Sequence, residues 1–173
     1  MPLFETPRLL VRELSRQDLP ALTAILSDPE VMKYSLRGVC DEQVTGDFID
    51  WCVQCYASYG MGQWALEEKA SGALVGFCGV SPEQVAGVEE PGLGYRLATS
   101  YWHCGLASEA VNGVLEYVFS RQLQPAVIAI IEPANVASLR VAQKAGFNRF
   151  DTVQFHDRPV RVYRLTQQHW KAP

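Results

Sequence analysis

The segment with the strongest chemical signal runs from Tyr95-Arg96-Leu97 into Tyr101-Trp102-His103-Cys104-Gly105-Leu106-Ala107-Ser108-Glu109-Ala110. It reads as a strand that turns through small residues into a helix. Gly105 lets a ligand approach the backbone, the free amides of the first helical turn point outward, and Ser108 adds a hydroxyl, so together they form a cradle for an anion. The same pattern also describes a tight strand-to-helix turn that binds nothing, and residue types alone leave both readings open. Cys104 stands at that helix start, which makes its thiol the candidate nucleophile for a covalent acyl-enzyme. Cys52 and Cys55 lie three apart among apolar neighbours with no second pair, which points to core packing rather than zinc or redox chemistry. His156 and His169 have no carboxylate at a telling spacing, which assigns them surface or packing roles.

The elements that must position these residues come in a mixed order. Leu9 to Leu14 reads as an opening strand. Leu19, Leu22, Ile25 and Leu26 share a helical face that starts near Ser15 and Asp18 and stops at Asp28-Pro29. A second helix is expected from about Asp41 to Tyr59, closed by Gly60 and Gly62. Gln63 to Glu68 and Ala73 to Val80 form a hairpin across Lys69-Ala70-Ser71-Gly72, and Gly92 to Leu97 is a third strand. Ala107, Ala110, Val111, Val114, Leu115 and Val118 mark a helix, and the unbroken apolar run Ala126 to Ile131 is a strand buried on both faces. Asn135 caps a last helix that Gly146 ends, and Phe150 to Phe155 with Val160 to Leu165 close the chain as a hairpin across Asp157-Arg158-Pro159.

That order, β α α β β β α β α β β, predicts an α+β fold in which Gly92 to Leu97 connects through a crossover helix to a parallel partner, Ala126 to Ile131. A ligand site belongs outside the carboxyl ends of that pair. The 173 residues fit one domain, 1–173, and 48% hydrophobic with 20% charged residues excludes disorder, collagen and coiled coil. A formal charge of -4 argues against nucleic-acid binding and suits a cationic partner. Five cysteines without paired spacing suit a reducing cytoplasm, and neither a signal peptide nor a membrane span is evident.

Three segments resemble the GCN5-related N-acetyltransferase (GNAT) superfamily, most closely its ribosomal-protein N-terminal acetyltransferase branch, over about residues 8–166. Asp28-Pro29-Glu30-Val31-Met32-Lys33-Tyr34 resembles the segment after that branch's first helix. Gly94-Tyr95 through Ala110 resembles its acetyl-CoA pyrophosphate motif, and Asn135-x-x-Ser138 through Lys144-Ala145-Gly146-Phe147 its last-helix motif. The resemblance implies a mixed sheet of about seven strands with about four helices. It implies that His103, Cys104, Gly105, Leu106, Ala107 and Ser108 wrap the pyrophosphate, and that Leu97 and its neighbours pair with the pantetheine arm. It places Asn135 and Ser138 near the thiol and makes Arg140 and Lys144 candidate contacts for the nucleotide phosphates. The reaction implied is direct acetyl transfer, without a metal, to a primary amine: a protein or peptide N-terminus, a polyamine or an aminoglycoside-like drug. A monomer or homodimer is expected.

Two departures from the family pattern bear on chemistry. The superfamily's last-helix Tyr, an acid for the leaving thiolate, is Ala142 here, which leaves the Ser138 hydroxyl as the branch's substitute. The branch's Glu two residues before Gly-Tyr is Gly92, so a general base must come from elsewhere. Glu90 is the candidate if Pro91-Gly92 forms a bulge that re-aims it; Glu67, Glu68 or a water chain are alternatives. A rival reading keeps the fold and cofactor cradle in a non-catalytic acyl-CoA-binding or regulatory module, for which Gly92 and Ala142 speak.

Overall fold

The computed structural model describes residues 1–172. Eight strands and four α-helices follow in the order β1 (Phe4–Glu5), β2 (Leu9–Glu13), α1 (Leu19–Leu26), α2 (Glu42–Tyr59), β3 (Gln63–Glu68), β4 (Leu74–Val85), β5 (Val88–Leu97), α3 (Leu106–Ser120), β6 (Ala126–Ile131), α4 (Val136–Ala145), β7 (Arg149–Phe155) and β8 (Arg158–Thr166). One sheet holds all the strands in the order β1-β2-β3-β4-β5-β6-β8-β7. Every neighbouring pair is antiparallel except β5 and β6, which are parallel.

The helix boundaries follow from caps. The Asp41 side chain accepts from the Val44 amide at 2.9 Å to start α2, and Gly60 ends it in a left-handed turn at φ +77. The sheet is covered on both faces, as β3 illustrates with alternating side chains. Trp64 and Leu66 pack with α3 residues Val111, Val114 and Leu115, whereas Ala65 between them packs with Leu22 and Ile25 of α1 and Ile49 of α2.

Two hairpins depart from the sequence reading. β4 and β5 extend well past Val80 and before Gly92 to meet at Ala86-Gly87, both in the left-handed region at φ +50 and +80, which is the two-residue loop that suits strand twist. Pro82 and Pro91 lie opposite each other in that ladder, and these prolines with the intervening acids disguise it as a loop. The closing hairpin turns at His156-Asp157, at φ +50 and +64, one residue earlier than its proline suggests. The extra strand Phe4–Glu5 is too short to carry a pattern. No helix among the described residues is long and apolar enough to cross a membrane.

An ion-pair cluster locks the entry to α1. Arg12 donates to both carboxylate oxygens of buried Asp18 at 2.9 Å and to Glu67 at 3.0 Å, and the Ser15 amide donates to Asp18 at 2.9 Å. Burial alone would raise the Asp18 carboxyl, but the Arg12 fork and the Ser15 amide outweigh it and hold it below its ordinary value. A depressed folded pKa gives stability that is present above the unfolded pKa and lost as pH falls through the folded one. Asp18→Asn is therefore expected to cost about 2–4 kcal/mol at neutral pH. Urea unfolding of both proteins checks this, and the gap between them should close as pH drops below the ordinary aspartate range.

Candidate active site

The parallel strands β5 and β6 share a single register pair, Gly92 with Ile128, and then diverge toward their carboxyl ends. The facing backbone edges of Leu93–Leu97 and Ala129–Ile131 are left without a strand partner. An added extended segment can hydrogen-bond there. A cavity of about 600 Å³ opens at this divergence, reaching from Asn135 and Ser138 at the start of α4 to Ser81 and Glu83 on β4.

At the end of β5 the chain makes the turn foreseen as an anion cradle. His103 and Gly105 are both left-handed, at φ +60 and +81, and α3 starts at Leu106 with no side-chain cap on its first amides. His103, Cys104 and Gly105 are exposed and Ala107 and Ser108 half-buried, whereas the Leu106 side chain is buried in the core, so only its backbone can face a ligand. The loop is braced from behind. The Trp102 indole donates to the Leu97 carbonyl at 2.8 Å, which occupies that oxygen, and the Leu97 side chain is buried. Arg8 donates to the Cys104 carbonyl at 3.0 Å and to Glu109 at 2.8 Å, and Thr6 and the Arg8 amide hold the other Glu109 oxygen at 2.6 and 2.8 Å. Burial would raise the Glu109 carboxyl, yet Thr6 and Arg8 bring it below its ordinary value. The negative charge in the first turn is thereby held by Arg8 and Thr6. Arg8 and Glu109 lie 101 residues apart, and nothing local in the sequence pairs them.

The start of α4 is built as expected for its cap. Asn135 accepts from the Ser138 amide at 3.2 Å. Tyr95 adds a contact that the sequence reading missed: its hydroxyl donates toward both the hydroxyl and the carbonyl of Ser138, each at 3.1 Å. Burial pushes the Tyr95 phenol up to about 12, with the Ser138 bond acting the other way, so it stays protonated at neutral pH. Ala142 is fully buried in the core. Arg140 and Lys144 are exposed on α4 and do not line the cavity; Lys144 instead borders a separate cleft with Arg149, Arg164 and Lys171.

The structure does not bring Glu90 into the cavity. The β4–β5 ladder continues without a register shift across Pro91 and Gly92, so the bulge that would re-aim Glu90 is absent, and Glu90 forms an ion pair with Arg164. Glu83 lies there instead. A Cβ on Gly92 would come within 2.5 Å of the Glu83 Cγ, which means that the Glu83 side chain occupies the space above that glycine. Burial raises the Glu83 carboxyl, with His156 acting the other way. Beside it, Gln63 donates to Ser81 at 2.9 Å while its buried Oε1 has no partner. No cluster of three or more His, Cys, Asp or Glu side chains placed to hold a metal occurs among the described residues.

The chain matches the family model described as "Acetyltransferase (GNAT) domain" over residues 8–148. It is 33% identical over 159 residues to the uncharacterized protein YkkB of Bacillus subtilis, an alignment covering 91% of this chain and 92% of that one. Its fold is similar to a GNAT-family acetyltransferase from Bacillus anthracis, with a TM-score of 0.78 and 25% identity, covering 95% of this chain and 98% of that structure. It is also similar to the ribosomal alpha-N-protein acetyltransferase RimL solved with coenzyme A, with a TM-score of 0.76 and 16% identity over 93% and 95% of the two chains.

Gly105 gives a direct test of the loop. A Cβ there would meet nothing closer than the Arg8 guanidinium at 3.6 Å, so the domain has room for a side chain while the outer face of the loop would be blocked and its left-handed backbone disfavoured. Gly105→Val is expected to weaken acetyl-CoA binding at least about tenfold, roughly 1.4 kcal/mol, by calorimetry on a folded variant. Unchanged affinity would remove the loop from the cofactor site.

Proposed function

The chain belongs to the GNAT acetyltransferase family, and from that premise we propose that it moves the acetyl group of acetyl-CoA directly onto a primary amine, the N-terminus of a protein or peptide, as in the ribosomal-protein N-terminal acetyltransferase branch. The observation that carries this reading is the single register pair of β5 and β6 with the braced loop at its mouth. The residues present fit the donor. Outward amides from His103 to Ser108 suit its pyrophosphate, and the open strand edges suit its pantetheine arm. The likeness to RimL supports the narrower branch.

Glu83 is the carboxylate in position to take the proton from the acceptor ammonium, which must be neutral to attack. The amine nitrogen then bonds to the acetyl carbon, the carbon–sulfur bond breaks as the sulfur leaves with its electron pair, and the nitrogen's second surplus proton is released to replace the one that the departing sulfur receives. Ser138 is the proton donor to that sulfur, and Tyr95, by donating to the Ser138 oxygen, leaves the serine proton free to point elsewhere. Cys104 lies on the phosphate loop with its thiol directed at the Tyr101 carbonyl at 3.0 Å, and it does not line the cavity, which supports direct transfer over an acyl-enzyme.

Purified protein with acetyl-CoA and a panel of peptides beginning with Ser, Ala or Thr, together with spermidine and kanamycin, tests the function by thiol release. Release with the peptides is expected, and release only with spermidine or kanamycin would move the acceptor class. Binding of acetyl-CoA without release from any amine would support the non-catalytic alternative. Two variants test the assignments. Ser138→Ala should lower kcat on the order of ten- to a thousandfold with acetyl-CoA affinity nearly unchanged, because help to a leaving group is felt in the transition state alone. Glu83→Gln should lower kcat/KM on the order of a hundredfold or more at neutral pH. Because burial raises Glu83, the parent's kcat/KM should rise with pH through a midpoint above the ordinary glutamate value, and the variant should lose that limb. A variant within twofold of the parent removes the residue from the mechanism.

A further inference from the structure

The cavity holds a positive charge that the chemistry above does not use. Arg96 stands on β5 opposite Phe77, on the same sheet face as Gly92 and Gly94, and its guanidinium reaches the Val31 carbonyl at 3.4 Å, a long contact. No salt bridge among the described residues includes it. Burial lowers its pKa, the direction expected of a cation without a nearby anion. Arginine placed among Phe77, Met32 and Cys40 with no carboxylate is costly to the free protein.

The remaining charged groups on the cavity wall divide it into two ends. Arg37, exposed on the segment between α1 and α2, adds a second cation to the cavity wall. On the other side stand Glu83 and His156; Glu132 also lines the cavity, but it is paired with Arg158 at 3.5 Å. Beside Glu83, the partnerless Gln63 Oε1 is an acceptor ready for an N–H donor. One end thus suits an amine and the other an anion.

Building on the acetyl-transfer reading, we propose that the acceptor is a peptide whose N-terminal amine sits at Glu83 and Gln63 and whose second or third residue is acidic, its carboxylate held by Arg96. Separation along β5 selects this class. Arg96 lies four residues beyond Gly92, about 13 Å at strand rise, less the reach of the side chains. A free amino acid carries its α-ammonium and α-carboxylate on one carbon, and that pair cannot meet both ends. An extended peptide spans roughly 3.3–3.6 Å per residue, so an acid one or two residues after the terminus can. Polycations such as spermidine place a second positive charge against Arg96 and Arg37, which disfavours them.

Three amidated tetrapeptides of equal length test this: Ser-Glu-Glu-Ala, Ser-Gln-Gln-Ala and Ser-Lys-Lys-Ala. Calorimetry on the protein saturated with coenzyme A measures their binding whether or not transfer occurs, and thiol release from acetyl-CoA is followed in parallel. The acidic peptide is expected to bind at least about tenfold more tightly than the neutral one, with the lysine peptide weakest. In Arg96→Gln the preference should fall to within twofold, and Arg96→Lys, which keeps the charge, should retain part of it. A purely structural role for Arg96 would change affinity for all three peptides alike. Equal binding by the parent, binding of none, or a preference that survives Arg96→Gln overturns the proposal. Acidic preference in binding without thiol release from any peptide would instead uphold the charged cavity and count against acetyl transfer.

Discussion

A single register pair between two parallel strands is the constraint on which the rest of the molecule depends. Parallel strands cannot be joined by a tight turn, so α3 must cross from the end of β5 to the start of β6. Because the ladder stops after Gly92 and Ile128, the ends of β5 and β6 do not satisfy each other's backbone, and a gap is left in the middle of an otherwise continuous sheet. The antiparallel strands on either side keep that gap from closing. The long β4–β5 hairpin fixes one wall, and β8, paired along all of β6, fixes the other.

The loop at the mouth of the gap is prepared before any ligand arrives. His103 is a non-glycine residue in the left-handed region, a conformation that costs on the order of 1–3 kcal/mol. The surrounding contacts over-determine it: the Trp102 indole on Leu97, and the Arg8 guanidinium bridging Cys104 and Glu109. Ordering that a flexible loop would undergo on binding has thus been moved into folding, where the core beneath α3 supports it. The same logic holds at α4, where Asn135 sets the backbone of Ser138 and Tyr95 sets its hydroxyl.

Much of this was legible in the chain because it is written locally. Asp41, Gly60, Asn135 and Gly146 mark helix ends through groups within a few residues of themselves, and the apolar run of β6 announces burial on both faces. The strand-to-helix turn around Gly105 was readable for the same reason. What stayed hidden is non-local or disguised. Arg8 finds Glu109 through the fold alone, and Tyr95 finds Ser138 only once β5 and α4 meet. The hairpin at Ala86-Gly87 lacks the usual asparagine or aspartate, and its flanking strands carry prolines and acids, residue types that strands usually avoid. Glu90 looked closer to the reacting groups than it is because linear distance to Gly92 stood in for direction, whereas the ladder turns it toward Arg164.

Gly92 and Glu83 show how one strand can set a side chain over the backbone of its neighbour. The glycine removes a side chain from β5, and the vacancy is filled from β4, whose Glu83 Cγ would lie 2.5 Å from the missing Cβ. Read one column at a time, Gly92 offers no acid at this place. Read as a three-dimensional template, a carboxylate still stands over the same patch of sheet, reached by a different route through the backbone. Sorting related chains into working and silent groups therefore requires comparing which atoms fill that volume, since the residue at any one aligned position does not report it.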